Sequence, residues 1–96
     1  MGNQDFELIA RVLVRDWYNV NASDRAIPCS ITIDEVYVVW ICKTLGNNKA
    51  LLSTTVEDGR YYEVTYNGDN GEFYFDAYKK QENVCVPREN WQEAFA

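Results

Sequence analysis

There is no histidine in this sequence. The commonest general base and the commonest metal-ligating side chain are therefore both missing. Basic residues are few: nine Lys and Arg stand against fifteen Asp and Glu, a formal net charge of −6. That balance excludes a general grip on a phosphate backbone, so no direct nucleic-acid partner is expected. Apolar runs are short. Residues 36–42 fall far below the length needed to span a bilayer, and no signal peptide is read, so no membrane partner is expected. The five glycines sit at turns or near the terminus and form no phosphate-cradling loop. Three cysteines, Cys29, Cys42 and Cys85, lack metal-ligand spacing and leave one thiol over in any disulfide scheme. Reduced thiols in a cytoplasm are the simplest account. Ninety-six residues without repeats or low-complexity segments read as one domain, 1–96.

What is there is β-rich and aromatic. Residues 36–42, 50–56, 61–66 and 72–78 carry the β-branched and aromatic residues of strands. Turn formers separate them: Gly46-Asn47-Asn48, Asp58-Gly59, and the run from Asn67 to Gly71. A two-residue turn at Asp58-Gly59 would put Thr55 opposite Tyr62 and Ser53 opposite Val64. A second at Asn47-Asn48 would put Leu51 opposite Thr44 and Ser53 opposite Cys42. The third loop would put Val64 opposite Phe73 and Tyr62 opposite Phe75. Alternation then assigns Val36, Val38, Trp40, Cys42, Leu51, Ser53, Tyr62, Val64, Tyr66, Phe73, Phe75 and Ala77 to the core face. A one-residue slip reverses such an assignment.

The opposite face reads as two halves. Tyr37, Val39, Ile41, Leu52 and Val56 make an apolar half, which needs covering, and a two-fold homodimer would bury it. Tyr61, Glu63, Thr65, Glu72, Tyr74 and Asp76 make an acidic, tyrosine-bearing half.

Upstream, residues 5–20 read as an amphipathic helix. Its stripe is Phe6, Ile9, Leu13, Trp17 and Val20, widened by Ala10 and Val14. Residues 21–34 form a connector containing Pro28; either residues 31–33 are extended or residues 32–36 start a short helical turn. The meander occupies residues 35–86, with a short fifth strand at 84–86. Residues 87–96 make a short tail in which Trp91 and Phe95 call for a surface to dock on. The fold class is α+β: an N-terminal amphipathic helix on a curved four- to five-stranded antiparallel meander. The arrangement is cystatin-like, an analogy of fold that carries no function.

Chemistry is harder to find. Ser30 and Ser53 have no base beside them in the sequence. Cys42 and Cys85 read as small buried residues in strands, which leaves Cys29 as the one thiol to consider for reactivity. Glu63 and Asp76 fall on adjacent strands, diagonal to each other, with Tyr61 and Tyr74 nearby. Such a group would suit a cation, a basic peptide or a glycosidase-like acid pair, but a solvated acidic face explains it as well. Asp69 with Asn67, Asn70 and Glu72 lacks calcium-loop spacing and reads as a turn. Residues 57–82 hold seven acids against three bases, which disfavours stacking of the tyrosines on nucleic acid. No cofactor or metal is expected, and the protein is expected not to be an enzyme.

The runs VLVRDWYN (12–19), ITIDEVYVVWICKT (31–44), ALLSTTVEDGRYYEVTYN (50–67) and YKKQENVCVP (78–87) resemble a family of small uncharacterised proteins. That family occurs in phages, prophages and other mobile elements of Gram-positive bacteria. The resemblance implies an origin and no chemistry, and it stops before residues 91–96. Two function classes follow. One is an accessory protein that binds a host protein through Tyr61, Glu63, Glu72, Tyr74 and Asp76, for example by occupying the nucleic-acid groove of a defence enzyme. The other is a sequestering module for a small nucleotide at a subunit interface, held by aromatics with Arg11, Arg15, Arg60 or Arg88.

Overall fold

A computed structural model describes residues 1–21 and 30–96. Cys29 and Pro28 lie outside the described residues. The chain forms a helix α1 (Asn3–Asn21), a 3₁₀ turn (Ile33–Glu35), and strands β1 (Val36–Thr44), β2 (Asn47–Thr54), β3 (Arg60–Asn67) and β4 (Glu72–Lys79). A second 3₁₀ segment, Arg88–Glu93, follows. The strands make one antiparallel sheet in the order β1-β2-β3-β4, with α1 packed on one face. This is the expected α+β meander, with four strands. Residues 84–86 stand outside the sheet and are exposed.

The buried stripe of α1 is Phe6, Ala10, Val14 and Tyr18, a strict four-residue spacing. It is rotated from the expected stripe. Leu13 and Trp17 flank it, half-buried, while Val20 is exposed. Two side-chain devices fix the ends of α1. Asn48, buried on β2, places its Nδ2 3.3 Å from both the Met1 carbonyl oxygen and Asn3 Oδ1. Asn19 Nδ2 donates to the Ile31 carbonyl (3.1 Å) and Asn19 Oδ1 accepts from the Ile31 N–H (2.8 Å). The chain entering β1 is thereby held to the last turns of the helix. Of the two readings of the chain just before β1, the helical turn holds, at Ile33–Glu35. The Thr32 N–H donates to Glu35 Oε1 (3.0 Å), satisfying a donor that the turn itself leaves open.

The sheet register departs from expectation at each hairpin. The first turn is Leu45-Gly46, so Thr44 pairs with Asn47 and Ile41 with Ala50. Leu45 takes φ 57°, the left-handed region that bulky residues avoid. The loop between β2 and β3 spans residues 55–59 rather than two residues, so Leu52 pairs with Tyr62 and Ala50 with Val64. Between β3 and β4, Val64 pairs with Phe75 and Tyr62 with Ala77, two residues from the expected match but with the same faces. The Asn67–Gly71 run is a turn: Asn67 Oδ1 accepts from the Asp69 N–H (3.0 Å), and Gly71 takes φ 66°.

One irregularity sorts the faces of β1. The register shifts between Val38 and Trp40, leaving Val39 as an extra, bulged residue. Alternation reverses beyond it. Val36 and Val38 face the helix, as expected, but Ile41 then takes the core side. Trp40, expected in the core, is 42% exposed on the other face. On β2, Ala50 and Leu52 are buried in the core, not Leu51 and Ser53 as expected. The core is thus Phe6, Ala10, Val14, Tyr18, Ile31, Val36, Ala50, Leu52, Tyr62 and Val64.

Candidate functional site

The face of the sheet turned away from α1 is laid out by the register. One row across the strands is Trp40, Leu51, Glu63 and Asp76. A second is Cys42, Lys49, Thr65 and Tyr74. Tyr37 pairs with Ser53, and Tyr61 pairs with Tyr78 at the same end. Tyr37, Val39, Trp40, Tyr74 and Tyr78 are all exposed there. Successive residues of a strand point to opposite sides, so this face and the core face share no side chains.

The five expected contact residues come together on this face, with one change of geometry. Glu63 and Asp76 are direct cross-strand partners, not diagonal ones. Like charges directly opposite each other repel. Lys49 on β2 relieves this: its Nζ lies 3.1 Å from Glu63 Oε1. The hydrogen bond and charge of Glu63 hold the Lys49 ammonium above the ordinary lysine range. Tyr74 donates its hydroxyl to Glu72 Oε2 at 2.8 Å, and that bond raises the phenol above its usual range. Tyr61 carries Lys80 Nζ 5.9 Å from its ring centroid, within cation–π reach.

The expected apolar half divides differently. Tyr37 and Val39 are exposed on the outer face. Leu52 is buried in the core, and Ile41 and Val56 pack against that core. These three therefore cannot form the outer patch. Trp40 and Leu51 take their place: the loop at residues 55–59 turns β2, and with it the second half of β1, over against β3, and the bulge returns the first half of β1 to the expected side. Nothing in the sequence marks Val39 as a bulge.

At one end of the face a hollow of about 260 Å³ opens between Tyr37 and Tyr61, with Ser53, Glu57 and Lys80 around it. Ser53 Oγ donates to the Arg60 carbonyl (2.9 Å). Arg60 turns its guanidinium to the helix side, 5.4 Å from the Trp17 ring. Arg11 and Arg15 lie on α1 and pair with Glu7 (3.9 Å) and Asp16 (3.0 Å), while Arg88 lies beyond β4. The four arginines thus stand on three elements, two on α1, one on β3 and one in the Arg88–Glu93 segment. Cys42 and Cys85, expected to be buried, are both exposed: the first near the end of β1, the second in the extended run after β4. No three Asp, Glu or Cys side chains gather as metal ligands among the described residues. No helix among them is long and apolar enough to cross a membrane.

A family model described as a family of unknown function (DUF6275) matches residues 7–88. The chain belongs to this family. The match takes in α1 from Glu7 onward and all four strands, and ends at the start of the Arg88–Glu93 turn. Searches of the curated proteins and of the solved structures found no match. The expected character of an uncharacterised domain is therefore shown, while the family description carries no chemistry.

Proposed function

We propose that this protein is a non-enzymatic binding module that engages a protein partner through the outer face of its sheet. The observation that carries the reading is the composition of that face. Tyr37, Trp40, Leu51, Tyr74 and Tyr78 stand among Glu63, Glu72 and Asp76, with no element of the described residues over them. Aromatic side chains supply large, rigid contact area, and buried Trp and Tyr are the usual anchors of interfaces. The carboxylates around them select a basic surface and speed its approach. Glu63 is engaged by Lys49 and Glu72 by Tyr74, so the carboxylates are better placed to define a charged surface than to move protons. In the mobile-element setting that the sequence resemblance implies, the partner is a basic host protein in the bacterial cytoplasm.

Capture from host lysate with face variants tests this. Wild-type protein should retain a basic protein that Tyr37→Ala/Trp40→Ala loses. Glu72→Lys/Asp76→Lys should weaken capture most at low salt. An exposed helix variant, Leu8→Ser, serves as the control. If every face variant captures the same proteins as wild type, the outer face is not the contact.

The hollow between Tyr37 and Tyr61 supports a second reading, the sequestering of a small nucleotide, with Lys80 as its cation. Titration calorimetry with mono- and dinucleotides decides it. Heat that vanishes in Tyr61→Ala/Lys80→Ala would favour the nucleotide, and no heat from the wild type would remove it.

A further inference from the structure

We infer that the segment after β4 is a docking arm for a second copy of this chain, received in the groove between α1 and β4. Three observations lead there.

First, α1 does not cover the whole sheet. It lies mainly over β1 and β2, and it meets β4 through Trp17, 6.0 Å from the Phe75 ring. Beside this contact is a hollow of about 370 Å³ lined by Leu13, Trp17, Val20 and Phe75, with Asp16 and Asn21 at its margin. Its size is that of a small-ligand pocket, and its lining side chains are apolar apart from that margin.

Second, residues 81–96 stand clear of the rest of the described chain. Every one of them is exposed, including Trp91 at 61% and Phe95 at 80%. The Cα radius of gyration is 16.2 Å, against ~12.5 Å for a compact chain of this length. A six-residue 3₁₀ segment has too few internal hydrogen bonds to hold itself in water. It needs a surface, and its own body does not provide one.

Third, the two features match. Trp91, within the Arg88–Glu93 segment, and Phe95, two residues past its end, put two exposed rings on one short stretch of chain. The groove offers aromatic and aliphatic walls for such rings. A reciprocal exchange, arm to groove and groove to arm, buries both exposed features twice through one two-fold interface. The outer face stays free, so this inference does not rest on the binding function proposed above. It also differs from a dimer through the outer face, where Leu52 and Ile41 are not available.

Sedimentation velocity of the full chain at micromolar concentration tests the arm. The expected species is a dimer, twice 11.2 kDa. Trp91→Ala/Phe95→Ala should give an 11.2 kDa monomer with unchanged circular dichroism, because both residues are exposed. The dissociation constant should rise about 100-fold or more, as for loss of two aromatic anchors. Val20→Glu, a change at an exposed wall of the groove, should do the same. A mixture of the two variants should recover dimers, since one supplies an intact arm and the other an intact groove. A wild-type monomer up to high micromolar concentration overturns the inference. So does a dimer that survives Trp91→Ala/Phe95→Ala and dissociates on Trp40→Glu, which would put the interface on the outer face. A monomer whose Trp91 fluorescence is shielded from a soluble quencher also overturns it, because the arm would then lie in its own groove.

Discussion

The two halves of the helix-side face are made of similar residues and meet different fates. Over β1 and β2, Val36, Ala50 and Leu52 are fully buried beneath Phe6, Ala10 and Val14. Over β4, Phe73 stays exposed and Phe75 is only partly covered. Hydrophobicity alone does not separate these groups. The separation comes from where a single helix of 19 residues can lie. Asn48 fixes its start to β2 and Asn19 fixes its end to the approach to β1, so it is held toward the β1 side. The uncovered half is left for other surfaces to fill.

The largest effects should come from setting one half against the other. Phe6→Ala should cost about 3–5 kcal/mol, the range for large core truncations. Phe73→Ala should cost about 1 kcal/mol, because that ring is already exposed and leaves no closed cavity. Urea unfolding of both variants measures the contrast. Equal costs would mean that β4 is covered as thoroughly as β2.

Asn48→Ala sharpens the account of why the helix lies where it does. It removes a buried amide and orphans its partners at the start of α1, at a cost of about 1–3 kcal/mol. Amide hydrogen exchange should quicken in the first turns of α1 and stay unchanged in β4. Exchange that quickens evenly through the chain would show that Asn48 supports the whole fold, with no special hold on the helix.

A smaller effect tests the bulge. Trp40→Ala should cost about 1 kcal/mol or less, as for a half-exposed residue, while Ile41→Ala costs about 2–3 kcal/mol. The reverse order, measured by thermal unfolding, would return Trp40 to the core and remove Val39 as the extra residue.

The smallest effect is electrostatic. Both Lys49 and Tyr74 hold their protons more tightly folded than unfolded. The folded state therefore binds more protons in the alkaline window, so these pairs stabilise below the ordinary Tyr and Lys values and stop doing so as pH rises through the raised ones. Stability should decline above about pH 10, and Lys49→Met should flatten part of that decline. A steeper decline in Lys49→Met than in wild type would contradict the role of the Lys49–Glu63 bridge.

Much of this was legible in residues. The four strands and the helix before them follow from local composition and period. So does the grouping of Tyr61, Glu63, Glu72, Tyr74 and Asp76, because β3 and β4 differ from the expected register by two residues, and an even shift keeps faces. β1 and β2 were not legible to the same depth. The bulge at Val39 shifts β1 by one residue, and the loop at residues 55–59 shifts β2 against β3 by three. Odd shifts exchange faces, which sent Trp40 and Leu51 outward and Leu52 and Ile41 inward.

Pattern, then, determined which elements exist, because strand and helix periods are properties of neighbouring residues. The absence of histidine and of a basic surplus likewise narrowed the chemistry without any coordinates. Only tertiary structure decided which side of each strand is the inside. That choice depends on turn length, on one bulged residue, and on two asparagines whose hydrogen bonds tie the helix ends across 12 and 45 residues of chain. Contacts at that separation leave no trace in local sequence, because what selects them is the fit of a whole helix against a whole sheet.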